Sequence, residues 1–104
     1  MTDEQVAKRV EQLTRIDQQL TSLLQQKQQY HSQLSELTHA SDELARTSTA
    51  YKIIGSIMVE SDKTALAKDL GDKKELIELR IKSIEKQEDT LRSEAEKIRE
   101  GVFK

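Results

Sequence analysis

Along the first part of the chain, apolar residues recur at alternating steps of three and four. Leu13, Ile16, Leu20, Leu23, Lys27, Tyr30, Leu34, Leu37, Ser41 and Leu44 form one series, and eight of its ten members are apolar. A narrow stripe kept up over more than four heptads is a coiled-coil seam, not the wider face of a globular helix. It predicts a helix over residues 4–45, with Thr2 or Asp3 as its cap. The periodicity stops at Arg46-Thr47-Ser48-Thr49-Ala50, where small polar residues favour non-helical backbone.

The next ten residues, Tyr51-Lys52-Ile53-Ile54-Gly55-Ser56-Ile57-Met58-Val59-Glu60, are mostly β-branched or aromatic and flank a central Gly-Ser. That is the composition of a β-hairpin closed by a two-residue type II′ turn. The turn predicts Ile54 opposite Ile57, Ile53 opposite Met58 and Lys52 opposite Val59. One face then shows Lys52, Ile54, Ile57 and Val59, and the other Tyr51, Ile53, Met58 and Glu60. Both faces are largely apolar, and an isolated two-stranded hairpin is marginal in water, so this one calls for partners along its edges.

A second helix is predicted over 63–101, with Asp62 as its N-cap. Its seam reads Leu66, Leu70, Lys73, Ile77, Ile81, Ile84, Glu88, Leu91, Ala95, Ile98 and Val102, with two adjoining steps of four at Lys73–Ile77–Ile81. Such a stutter locally unwinds a supercoil. Leu76 and Leu79 lie off the seam there and mark a second packing surface. Gly71 signals either a close approach by another element or a soft first turn. Glu78/Lys82 and Glu88/Arg92 are acid-before-base pairs at i,i+4, read as a solvated face. The predicted fold class is mostly α: a long antiparallel α-helical coiled-coil hairpin with a short β-hairpin at the helix–helix connection, forming one domain over 1–104.

Composition agrees with a thin core. Apolar and charged residues each make up 35% of the 104-residue chain, against roughly 45–50% and about 25% in an average globular domain. There is no Cys, Trp or Pro, which removes disulfides and thiolate chemistry and suits a reducing cytoplasmic setting. No apolar run is long enough to span a membrane and no secretory leader is expected. Net charge is −2, and each half of the chain is close to neutral, which argues against nucleic-acid binding. The basic residues Lys73, Lys74, Arg80, Lys82 and Lys86 are interleaved with Glu75, Glu78, Glu85 and Glu88, which cancels their field.

Catalytic chemistry has no foothold in this pattern. His31 and His39 stand two helical turns apart, too far to share a metal, and His39/Glu43 has no second pair to complete a site. The three glycines, at 55, 71 and 101, are isolated and form no phosphate loop. No enzyme activity, metal or cofactor is expected. What remains is apolar surface at the end carrying both termini, where Val6, Val10 and Leu13 of the first helix meet Ile98, Val102 and Phe103 of the second. Fraying there would expose a surface suited to an apolar, poorly defined partner.

The hairpin motif Tyr51-Lys52-Ile53-Ile54-Gly55-x-Ile57-x-Val59 and the stretch Lys73–Glu88, with the two helix lengths and a single hairpin, resemble the prefoldin β-subunit family of archaeal type. The resemblance covers nearly the whole chain. It implies an ATP-independent chaperone in which two α-type and four β-type subunits assemble through their hairpins into a hetero-hexamer. Tyr51, Ile53, Ile54, Ile57, Met58 and Val59 would be the assembly residues. It further implies that non-native clients are held at the coiled-coil tips, here Val6, Val10, Leu13, Ile98, Val102 and Phe103, and passed to a group II chaperonin. Gly71 and the glutamine-rich first helix, with nine Gln in the first 33 residues, depart from the family pattern. A self-associating coiled-coil scaffold, or a helical adaptor for one folded partner, would also fit the seams, but the scaffold leaves the hairpin unexplained.

Overall fold

The computed structural model describes the backbone of residues 2–103 and the side chains of residues 2–101. Helix α1 runs Asp3–Arg46, strand β1 Ala50–Ile54, strand β2 Ile57–Ser61 and helix α2 Lys63–Phe103. Two long helices thus enclose one antiparallel two-stranded hairpin, as the sequence pattern predicts. The chain divides into two compact units. The first comprises Met1–Gln29 with Ile81–Lys104, and the second Tyr30–Arg80.

Helix α1 opens with a capping box. The Gln5 backbone N–H donates to Thr2 Oγ1 at 3.2 Å, and the Thr2 N–H donates to Gln5 Oε1 at 3.0 Å. Two of the helix's orphan donors are satisfied reciprocally, which makes Thr2 the cap and Asp3 the first helical residue. From Glu11 to Arg46, the residues not fully exposed are the ten of the predicted seam and no others. Ile16 and Leu44 are its buried members. At its C-terminus α1 ends where Thr47 hydrogen-bonds back to the Leu44 carbonyl through both its N–H and its hydroxyl, each at 3.3 Å. Lys63 Nζ, from the start of α2, donates to the Ala45 carbonyl at 3.4 Å.

Between Leu66 and Glu100 the protected positions of α2 are Leu66, Leu70, Lys74, Ile77, Ile81, Ile84, Glu88, Leu91, Ala95 and Ile98. Lys73, expected in the seam, is exposed, and Lys74 takes its place. The two steps of four therefore adjoin at Leu66–Leu70–Lys74, two steps earlier than predicted. A helix turns about 100° per residue, which puts positions 73 and 74 at about 50° to either side of the stripe's centre, so the period alone does not choose between them. Val102, the last expected member, lies outside the described side chains. Gly71 is exposed, and a Cβ built on it would meet nothing within 4 Å. No element of the chain uses the missing side chain for a close approach.

The seams are not wholly apolar, and their polar members find each other. Within the first unit, Lys27 Nζ donates to Glu88 Oε1 at 2.7 Å, while Arg92 stands 3.7 Å from Oε2. Glu88 is only 2% exposed, so its pairing with Arg92 is not the solvated one expected. A carboxylate taken out of water is tolerable only when both oxygens are matched. Among the described residues, no buried side-chain polar atom lacks a hydrogen-bond partner. In the second unit, the Arg80 guanidinium sits 5.9 Å from the centroid of the Tyr30 ring, a cation–π contact across the helix pair.

Two outcomes follow for stability, both read from thermal unfolding followed by circular dichroism. Gly71→Ala is expected to stabilise the chain by about 1 kcal/mol, because the site is helical, open and exposed. Lys27→Leu alone should destabilise by ~3 kcal/mol by stranding the Glu88 carboxylate, and adding Glu88→Leu should recover most or all of that loss.

Candidate functional site

The hairpin pairs as its turn residues dictate. Ile54 faces Ile57, Ile53 faces Met58, Lys52 faces Val59, and the ladder extends through Tyr51–Glu60 to Ala50–Ser61. Gly55 adopts φ +61°, and among the described residues no non-glycine residue has positive φ. Positive φ at the first central position alone identifies the type II′ turn, a conformation that glycine reaches without strain.

The chain leaves this hairpin bare. Every residue from Tyr51 to Glu60 is exposed. Ile53, Met58 and Ile57 retain 69%, 66% and 64% of their accessible surface, and Tyr51, Ile54 and Val59 are open as well. Ile53 and Met58 point to one face and Ile54 and Ile57 to the other, so neither face is covered. The sheet has only two strands, so the outer edge of each also presents unpaired N–H and C=O groups. A contiguous apolar patch of this kind on a monomer marks an interaction site. In the same unit Leu76 and Leu79, the expected second packing surface, are 48% and 59% exposed. They too have no cover within the chain.

The other predicted site falls in the first unit. Val6, Leu13 and Ile98 are half-buried along the seam, and Val10 lies off it with 49% of its surface exposed. Val102 and Phe103 lie outside the described side chains. Ile98 lines a groove with Gln5, Lys8 and Arg9, which brings the first two turns of α1 against the last turns of α2. Arg9 reaches across the α2 backbone at Gly101, where a Cβ would collide with its guanidinium. Composition had offered no reason for Gly101; the seam register, which puts Arg9 at a core position, is the signal that points to it. The pairing of Lys27 with Glu88 was equally open to detection, as the polar exceptions in two otherwise apolar seams.

Among the described residues no three His, Cys, Asp or Glu side chains gather closely enough to hold a metal ion. Among the described residues no helix is long and apolar enough to cross a membrane.

The chain matches the family model described as "Prefoldin subunit" over residues 7–104. It is 39% identical over 87 residues to the prefoldin subunit beta of Saccharolobus islandicus, covering 81% of this chain and 69% of that one. It is 37% identical over 93 residues to the same subunit of Sulfurisphaera tokodaii, covering 86% and 74%. Its fold is similar to the crystal structure of the prefoldin beta subunit from Thermococcus strain KS-1. There the TM-score is 0.89 at 30% identity, over 94% of this chain and 89% of that chain.

Because the hairpin side chains touch so little of their own chain, charging them should not unfold it. Ile53→Asp with Val59→Asp is expected to leave helix content unchanged and to shift stability by less than ~1 kcal/mol, as monitored by circular dichroism.

Proposed function

The chain belongs to the prefoldin subunit family, in its β branch, and from that premise we propose that it is one arm of an ATP-independent holding chaperone. The observation that carries the reading is the hairpin, apolar on both faces, open at both edges and uncovered by its own chain. In this reading four such chains and two α-type subunits add their hairpins edge to edge. Main-chain hydrogen bonds then satisfy the free edges, and the two apolar faces become the inside of closed sheets. Burying Ile53, Ile54, Ile57 and Met58 contributes roughly 1.5–3 kcal/mol per side chain, enough to drive assembly of a chain with so thin a core of its own.

Clients are non-native polypeptides, held at the end of the first unit by Val6, Val10, Leu13, Ile98, Val102 and Phe103. Each contact is weak. About 100 Å² of apolar surface is worth roughly 2.5 kcal/mol. Several such ends acting on one client raise the effective concentration of each next contact, so holding needs no deep pocket and release needs no nucleotide. The held client passes to a group II chaperonin in the cytoplasm. Nothing in the mechanism needs a catalytic group, a metal or a cofactor.

Light-scattering mass of the 11.9 kDa chain, alone and mixed with an α-type subunit, tests this. A hexamer formed only in the mixture, and lost with Ile53→Asp/Val59→Asp, is the expected result. A stable homo-oligomer that ignores the α-type subunit, or normal assembly of the double variant, would overturn the reading in favour of a self-associating scaffold.

A further inference from the structure

Glutamine occupies the position just before a seam residue in five consecutive heptads of α1, at 5, 12, 19, 26 and 33. Coiled coils commonly place charged residues at such flanking positions to pair across to the neighbouring helix. Here those five positions stay uncharged, and in the first unit a series of open grooves runs beside them. They overlap through Gln12, Lys97 and Ile98, and again through Gln19.

Two features give this groove a chemistry. Its floor is apolar, made by Ile16, Leu23, Leu91 and Ile98. Its walls are basic. Five cations (Lys8, Arg9, Arg15, Lys86 and Lys97) line it against one carboxylate, Glu94. The first unit as a whole carries ten basic and ten acidic side chains, so the imbalance belongs to this flank and not to the composition. Arg15 is held by Glu11 at 2.9 Å. Among the described residues, Lys8, Lys86 and Lys97 have no carboxylate within 4.0 Å, and all three are exposed.

We propose that this groove docks an extended polypeptide segment in which carboxylates accompany apolar side chains. This rests on the chaperone reading and deepens it by naming the class of client segment the flank prefers. The apolar side chains settle on the floor, and the carboxylates meet Lys8, Lys86 and Lys97. The glutamines address the main chain. Each amide both donates and accepts, so it can pair with a peptide N–H or C=O whatever the side chain there. Heptad spacing along a helix is about 10.5 Å. Three residues of extended chain cover roughly 10 Å, so successive glutamines meet every third residue of the segment. A nucleic acid would satisfy the lysines but leave the apolar floor unmatched.

Fluorescence anisotropy with the full chain tests the proposal. The probes are a labelled peptide of about 15 Leu, Ser and Glu residues, its Lys-for-Glu counterpart, and a single-stranded DNA oligonucleotide, a length that spans the groove at roughly 3.3 Å per residue. The acidic peptide should bind at least about tenfold more tightly than the basic one, with the advantage fading at high salt. Lys8→Glu/Lys97→Glu should abolish that preference while leaving helix content intact. Equal binding of the two peptides, binding of neither, a preference that survives in the double variant, or DNA binding as tight as the acidic peptide's would each overturn it. Failure of the chaperone reading looks different. Assemblies of the unmodified chain would then suppress aggregation of neither acidic nor basic denatured proteins, whatever the peptides do.

Discussion

A hairpin with Ile53 and Met58 on one face and Ile54 and Ile57 on the other cannot be covered by the chain that carries it. The helices have no side chains to spare. Most of their large apolar residues are spent on a seam one residue wide, with Val10, Leu24, Leu76 and Leu79 as exposed exceptions. Water therefore opposes the isolated chain at its β-rich connection, where the hydrophobic effect finds no cover within the chain. Leu76 and Leu79, exposed in the same unit, extend that demand onto α2. The thin seam and the uncovered hairpin are consequences of a single shortage of apolar surface.

The same shortage explains how the helix pair keeps its alignment. Apolar seams with a heptad repeat fit each other in several registers displaced by whole heptads, so an apolar stripe alone specifies alignment poorly. A polar pair inside the seam removes that freedom. Lys27 and Glu88 meet at 2.7 Å with Glu88 almost fully buried, and a shift by one heptad would strand a carboxylate among aliphatic side chains. Replacing both by leucine would cost little stability, so the pair's value lies in specificity. Arg80 over Tyr30 adds a second cross-helix contact in the neighbouring unit, weaker because it is more exposed.

Much of this was legible in the sequence because coiled coils and tight hairpins obey short-range rules. The ten α1 seam residues are the protected ones, and the Gly55-Ser56 turn sets the hairpin register through φ at one residue. The misplaced position, Lys73 for Lys74, arose where two steps of four adjoin. Periodicity is ambiguous at a stutter, and the two candidate positions are both lysines, with no difference in polarity to choose between them. Glu88 was placed in the seam but read as solvated, since pattern alone does not say which residue of the other helix it meets. The groove was less legible still. Its wall is built from both helices, and neither segment shows the excess of cations alone.

The absence of charge at the glutamine positions of α1 has a physical counterpart in the core. Among the described residues, Lys27–Glu88 is the one ion pair that crosses between the helices of the first unit. Pairing specificity that coiled coils usually place on their flanks is here moved into the seam. Flanking ion pairs would bridge the groove between α1 and α2 and close off Ile16, Leu23, Leu91 and Ile98 behind a row of long side chains. With the alignment fixed inside, the flank is free of that duty and stays open. At those positions amides suit a groove whose cations come from Lys8, Lys86 and Lys97, since they shed water at lower cost than charged groups and do not pair those cations off. The open flank is thereby separated from the contacts that hold the helix pair together.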